Sequence, residues 1–379
     1  MEEYRRGTAA DAEAILDFAN YVFSLSDRPH DFKTLLPKLY GEGCDTARYH
    51  HLILEDGKIR AMVCVCPTEL SVAGKTLKAG CVGTVSVHPY ARGRGYMKRL
   101  MARAVADMKK EGDSFSLLDG QRQRYEFFGY ERTGILFSLT LTEKNVRLGF
   151  GGADAESVSF REFGDGSGEW ERAAYGLYRG LPVTGARGAE DFAAVCRSWD
   201  GRSYAVLDRD RFAGYLTVCG DTVTEIELAD PSRLPAVCAA LFREFGCKSL
   251  QFTLPAYDTE KLRILSRVCE GYEIGCANCY QIFDYAAVIG AFLTLKSSLR
   301  PLRDGKMVLG VKGAETVEIC VRGGKPSVRR TEERADCTLT PAEAAAALFS
   351  PLGSTLLFSL PCPEGWFPLP LYVPRPDVC

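Results

Sequence analysis

No apolar run in the 379 residues approaches the roughly 20 needed to cross a bilayer. The opening residues, MEEYRRGTAADAEAIL, are polar and acidic and lack the apolar core of a secretory leader. A net charge of -2 gives no general reason to expect a nucleic-acid partner. The G-x-x-x-x-G-K-[ST] of a nucleotide P-loop is missing, and no G-x-G-x-x-G stands in a strand-to-helix turn. The 15 cysteines include one C-x-x-C, Cys276 to Cys279, with Cys269 nearby, but no second pair at zinc spacing. Most other cysteines sit in apolar text such as CVC at 64–66 and AVCAAL, where free thiols behave as small hydrophobes. The expectation is a cytoplasmic protein in a reducing setting, with no membrane span, no nucleic-acid partner and no metal.

What is present reads as a layered α+β chain of two or three domains, with 46% apolar and 25% charged residues. Apolar positions Ala12, Ile15, Leu16, Ala19 and Val22 predict a helix over 9–23, capped by Thr8. HHLILED and KIRAMVCVCP predict two strands joined at Asp56-Gly57, a strong hairpin signal. A helix is expected over 94–110, with Met97, Leu100, Met101, Ala104, Val105 and Met108 on one face. LGFGGADAES is glycine-rich and polar, and suggests a boundary between a first domain at 1–142 and a second at 143–285.

The second segment repeats the grammar of the first. RYHHLILEDGKIRAMVCV (48–65) and GRSYAVLDRDRFAGYLTV (201–218) are each a charged turn between two apolar strands. No basic, glycine-punctuated turn follows the later strand TVTEIELAD, so one copy alone is equipped. Residues 286–379 change character, with a helix at AVIGAFLTLKSSL, short strands around glycine turns, and a helix from Thr340 capped through Glu343. The proline-rich end, LPCPEGWFPLPLYVPRPDVC, is too apolar for a free tail and is expected to dock.

The equipped turn is Arg92-Gly93-Arg94-Gly95, between an apolar strand and a helix. Glycines admit a phosphate to the backbone, N–H groups at a helix start point at it, and arginines add charge-assisted contacts. The ligand such a turn suits is a phosphate or pyrophosphate.

With Val85-Ser86-Val87-His88-Pro89 before it, the turn resembles that of the Gcn5-related N-acetyltransferases, and residues 1–142 are similar to that superfamily. Met97 stands where many members have Gly or Ala. VHPYARGRGYMKRLM, RYEFFGYERTG and LPLYVPRPDVC extend the resemblance over the whole chain, to the enhanced intracellular survival (Eis) type. That resemblance implies tandem acetyltransferase-like domains with mixed central sheets, the second degenerate, and a sterol-carrier-protein-like domain at 286–379. It implies acetyl-coenzyme A as co-substrate, a small-molecule amine as acceptor, and a homo-oligomer.

By the same resemblance, Val85 and Val87 offer backbone groups to the pantetheine and acetyl carbonyl, and Arg92, Gly93, Arg94, Gly95, Tyr96 and Met97 wrap the pyrophosphate. Tyr130 matches the general acid for the coenzyme thiolate, with Tyr125 as the nearest alternative. The carboxylate of Cys379 stands where this type places its base, and desolvation would strengthen it. Asp27 and Asp377 are candidates for recruiting a cationic amine, with an aminoglycoside among the possible acceptors. His88 is expected to belong to the strand exit, while His30, His50 and His51 carry no motif. Competing expectations are acetylation of a protein or peptide lysine, and a non-catalytic protein that binds coenzyme A or lipid.

Overall fold

Chain order is not sheet order in this protein. The computed structural model describes residues 2–25, 28–164 and 168–379. It divides into two units, one of Met1–Thr133, Asn278–Leu369 and Val378–Cys379, the other of Gly134–Ala277 and Pro370–Asp377.

In the first unit the strands are β1 (Glu2–Arg6), β2 (His50–Glu55), β3 (Lys58–Val72), β4 (Lys75–Val87), β5 (Phe115–Leu118) and β6 (Glu131–Thr133). They are joined by β15 (Asn278–Ile282), which arrives from far along the chain. The order is β1-β2-β3-β4-β5-β15-β6. Neighbours are antiparallel except β4 and β5, which run parallel.

The second unit contains β7 (Leu136–Thr142), β8 (Val158–Phe163), the short β9 (Val183–Gly185), β10 (Arg202–Asp208), β11 (Arg211–Cys219), β12 (Thr222–Leu228), β13 (Ser249–Pro255) and β14 (Gly271–Gly275). Its main sheet runs β14-β7-β13-β12-β11-β10-β8. Again one pair, β12 and β13, is parallel and the rest antiparallel. Read from β8, this order reproduces that of the first sheet from β1, with β7 in the place of β15. Each sheet therefore takes one strand that follows the other copy in sequence. The boundaries expected at 142/143 and 285/286 treated the copies as contiguous; sheet membership cuts the chain at 133/134 and 277/278 instead.

Local geometry repeats as well. Asp56 and Gly57 turn with φ of 51° and 75°, and Arg209 and Asp210 with 49° and 60°. Both hairpins thus carry two left-handed central residues, the turn whose twist suits flanking strands. Each has a register shift just before the turn, at Ile53/Leu54 and Val206/Leu207. Two glycine-capped helices, Tyr96–Glu111 and Leu234–Phe245, cover the corresponding sheets. The first buries Leu100, Met101, Ala104 and Met108 and ends on left-handed Gly112.

Two helix starts differ from expectation. Gly93 and Gly95 adopt φ of 81° and 76°, so the helix expected from 94 begins at Tyr96 and Arg94 stays in the turn. Thr8 and Asp11 form a capping box over a short 3-10 turn at Ala9–Asp11, and the α-helix runs Ala12–Ser24.

A further sheet in the first unit holds β16 (Gly305–Val311), β17 (Thr316–Arg322), β18 (Lys325–Arg330) and β19 (Cys337–Leu339), ordered β18-β17-β16-β19. Helices Tyr285–Leu299 and Pro341–Phe349 accompany it, the latter closed by the expected Thr340–Glu343 capping box. The chain is thus α+β with several mixed sheets. Its apolar end docks: Trp366, Phe367, Leu369, Leu371 and Tyr372 are all buried. Lys296 holds the tail by donating to the carbonyls of Trp366 (3.2 Å) and Pro368 (2.7 Å). No helix among the described residues is long and apolar enough to cross a membrane.

Candidate active site

The parallel pair β4/β5 is matched over only three residues, Ala79–Cys81 against Phe115–Leu117. Beyond Cys81, β4 runs on to Val87 without β5 beside it, so the sheet opens into a wedge. Opposite β3, the register slips: Met62 pairs Ser86 but Cys64 pairs Gly83, leaving Thr84 and Val85 against Val63 alone. This bulge bends β4 where the wedge opens. Thr84 sits at φ 44°, a left-handed conformation that a β-branched residue adopts only when its surroundings force it.

At the mouth, β4 leaves the sheet through His88 and a short 3-10 turn, Pro89–Ala91. His88 accepts from the Tyr90 N–H and packs near Phe18 and Tyr21, the strand-exit role expected for it. From Gly93 to Lys98 the backbone N–H groups have no backbone acceptor among the described residues, the first helical return being Arg99 N–H to Gly95 C=O. Added side chains at Gly93 or Gly95 would meet open space, so their role is conformational. The two arginines differ. Arg94 is tied to Glu55, whose carboxylate also accepts from the Tyr96 hydroxyl. Arg92 is exposed and its side chain has no partner among the described residues. The cradle thus offers a row of amides and one uncommitted guanidinium to an anion, at the positive end of a 16-residue helix.

Tyr130 is 1% exposed, and its hydroxyl lies 2.7 Å from Ser116 Oγ on β5. Ser116 Oγ in turn donates to the Gly80 carbonyl on β4 at 2.8 Å. A serine has one proton to give, so the phenol must donate to Ser116. Burial pushes the Tyr130 phenol well up, so it stays protonated through the neutral range. Tyr125 is buried edge-on to it, 6.5 Å between ring centroids.

On the other side of β4, Cys379 is buried, and its N–H donates to Cys81 Sγ at 3.1 Å. A Cβ at Gly83 would stand 3.1 Å from both the carbonyl carbon and the sulfur of Cys379. Glycine at 83 therefore makes the room that Cys379 occupies. Lys38 donates to the Val378 carbonyl at 2.7 Å and pins the approach. Nearby, the Tyr40 hydroxyl lies 3.1 Å from His50 Nε2 and 3.3 Å from Thr84 Oγ1. Burial lowers His50 to about 4, so the ring is neutral.

The structure brings Val85, Val87, Tyr130 and Cys379 to the wedge strands and Arg92–Met97 to its mouth. Two acidic candidates remain. Asp27 lies outside the described residues. Asp377 is in the second unit, buried and held by both Nε and Nη2 of Arg187 at 2.9 and 3.0 Å. Sequence reasoning missed Ser116, Gly83, Cys81, Tyr40 and Glu55. Of these, Gly83 left a trace: a glycine inside strand text, CVGTV, marks a bulge or a close backbone approach. Among the described residues no group of three or more His, Cys, Asp or Glu is placed to hold a metal.

Residues 3–133 match the family model of the acetyltransferase (GNAT) domain. No curated protein sequence matches the chain. Among solved structures, a GCN5-related N-acetyltransferase from Anabaena variabilis shares 14% identity, covering 94% of this chain and 92% of that one, with a TM-score of 0.66. A probable N-acyltransferase of Enterococcus faecalis shares 14%, over 91% and 89%, at 0.65. Eis1 of Mycobacterium abscessus shares 15%, over 91% and 88%, at 0.61. These likenesses extend the fold over nearly the whole chain, while the family match spans the strands and helix that carry the wedge and cradle. Residues 3–133 are thus an acetyltransferase domain of the GNAT kind, and the protein is an acyl-coenzyme A-dependent acetyltransferase.

Proposed function

We propose that the protein acetylates a primary amine of a small cationic acceptor, in the β4/β5 wedge of the first unit. The carrying observation is the run of amides from Gly93 to Lys98, without a backbone acceptor among the described residues, beside the uncommitted Arg92. Acetyl-coenzyme A supplies the activated acyl group and would be held there by its pyrophosphate. Val85 and Val87, on the strand segment freed from β5, offer backbone groups to the rest of the coenzyme and to the acetyl oxygen.

Tyr130 acts as general acid. Its raised pKa keeps the phenol protonated, and for transfer its hydrogen turns from Ser116 toward a thiolate stripped of water in the same wedge. In a chain that ends at Cys379, the terminal carboxylate takes the proton of the attacking amine. An alkylamine near pKa 10.4 is mostly protonated at neutral pH and cannot attack unaided. The burial of Cys379 is the environment in which a carboxylate is a stronger base than in water. The same reading makes the second sheet a degenerate copy without a cradle, and the β16–β19 region with its two helices a sterol-carrier-protein-like part.

The test is thiol release from acetyl-coenzyme A with polyamines, aminoglycosides and lysine peptides as acceptors. Turnover with small amines supports the proposal; turnover with peptides alone moves the acceptor to protein lysines. Coenzyme binding without release on any amine would make the site a sensor. Appending two residues after Cys379 should lower turnover without weakening coenzyme binding, and wild-type turnover in that variant removes the carboxylate from the mechanism.

A further inference from the structure

The second unit opens the same kind of wedge. Parallel β12 and β13 pair only at Thr222–Val223 against Gln251–Phe252. The residues just beyond, Thr224–Leu228 and Thr253–Pro255, line a cavity of about 230 Å³ with Tyr178, Tyr257 and Tyr372. Crevices at the carboxyl ends of diverging parallel strands are where α/β sheets bind ligands. This volume falls below the ~300–1,000 Å³ of pockets for drug-sized ligands, so the occupant is small.

Its chemistry is the reverse of the first wedge. The following turn, Pro231–Arg233, is capped by Asp230, whose carboxylate accepts from the Ser232 N–H. The chain's own anion thus stands at a turn that in the first copy leaves its amides open. Three carboxylates line the cavity, Glu225, Glu227 and Asp258, against one ammonium, Lys261. Lys261 is shared between Glu227 at 2.8 Å and Asp258 at 2.6 Å. Arg187, behind Glu225, is shared between that carboxylate at 2.7 Å and Asp377 at 2.9 Å. Two cations therefore serve four carboxylates in a largely buried cluster. Burial first, and then the charges of Asp258 and Glu225, hold the Glu227 carboxyl above its usual range even with Lys261 beside it. Tyrosine rings and apolar residues such as Leu228 and Leu254 form the remaining wall, a surface suited to an alkyl chain or a cation over an aromatic face.

We propose that the β12/β13 wedge is a binding site for a small organic cation of the alkylamine class. A duplicated wedge that has lost its phosphate cradle has become an amine pocket. The experiment is calorimetric titration of the full chain with 1,4-diaminobutane. A binding event is expected that Glu227→Gln weakens at least about tenfold and that Thr253→Phe abolishes by filling the cavity. Thermal melting of each variant establishes that it is folded, and Thr253→Phe alone carries the test if Glu227→Gln is not. No binding event, or one insensitive to the folded wedge variants, overturns the proposal.

Discussion

Ser116 accepts a hydrogen bond from the Tyr130 hydroxyl because its own proton is already given to the Gly80 carbonyl. That chain of donations fixes the phenol at the point where β4 and β5 part. Tyr130→Phe should lower kcat by about 10²-fold or more with little change in the KM for acetyl-coenzyme A, as loss of a general acid does. Steady-state thiol release measures both. Because burial raises the phenol, activity should show no decline from its ionisation below about pH 10.

Gly83 and Cys379 test the tail independently. Gly83→Val would place side-chain atoms where Cys379 lies, 3.1 Å from a Cβ at that position. The expected outcome is a fall in kcat with coenzyme affinity retained, measured by turnover and by calorimetric titration with coenzyme A. Equal loss of coenzyme affinity would show that the bulge, rather than the tail, was disturbed.

Arg92 and Arg94 should not be equivalent. Arg92→Ala is expected to weaken coenzyme A binding about tenfold and to reduce its salt dependence, since the lost contact is one charge-assisted bond. Arg94→Ala should loosen the turn that Glu55 holds and change salt dependence less. Gly93→Val forces a side chain into φ 81° at a cost of about 1–3 kcal/mol and should weaken binding through the turn's conformation.

His50 and His51 give a pH test of stability. Burial lowers both to about 4 from an ordinary value near 6.5. Their contribution is complete above about pH 6.5, where neither folded nor unfolded ring is charged. It is lost as pH falls toward 4, because the unfolded state takes up protons that the folded state refuses. Each ring is worth about 3 kcal/mol over that window, to order of magnitude. Urea midpoints measured from pH 7 to 4.5 should fall, and the slope should shrink in the His50→Gln variant.

Much of this could be read from residues alone because the signals are local. The Asp56-Gly57 hairpin, the Thr340–Glu343 cap and the Arg92–Gly95 turn each depend on a few neighbouring residues. The repeat was visible in its charged turns, although Arg209-Asp210 achieves with non-glycine residues the geometry that Asp56-Gly57 achieves with one. Strand exchange was not visible. β7 and β15 are apolar strands that suit either sheet, and which sheet receives them is decided by partners more than a hundred residues away. Ser116 was hidden for a similar reason: one hydroxyl in the strand FSLL has no meaning until Tyr130 and Gly80 arrive beside it.

The reciprocal exchange of β7 and β15 has a consequence for biosynthesis. When a ribosome has delivered everything through Thr142, the first sheet still lacks its penultimate member, Asn278–Ile282, and β5 and β6 have nothing between them. The nascent first half must wait, with an unfilled slot, until some 140 further residues have emerged. Completion of the first sheet is thereby made conditional on synthesis of the strands of the second.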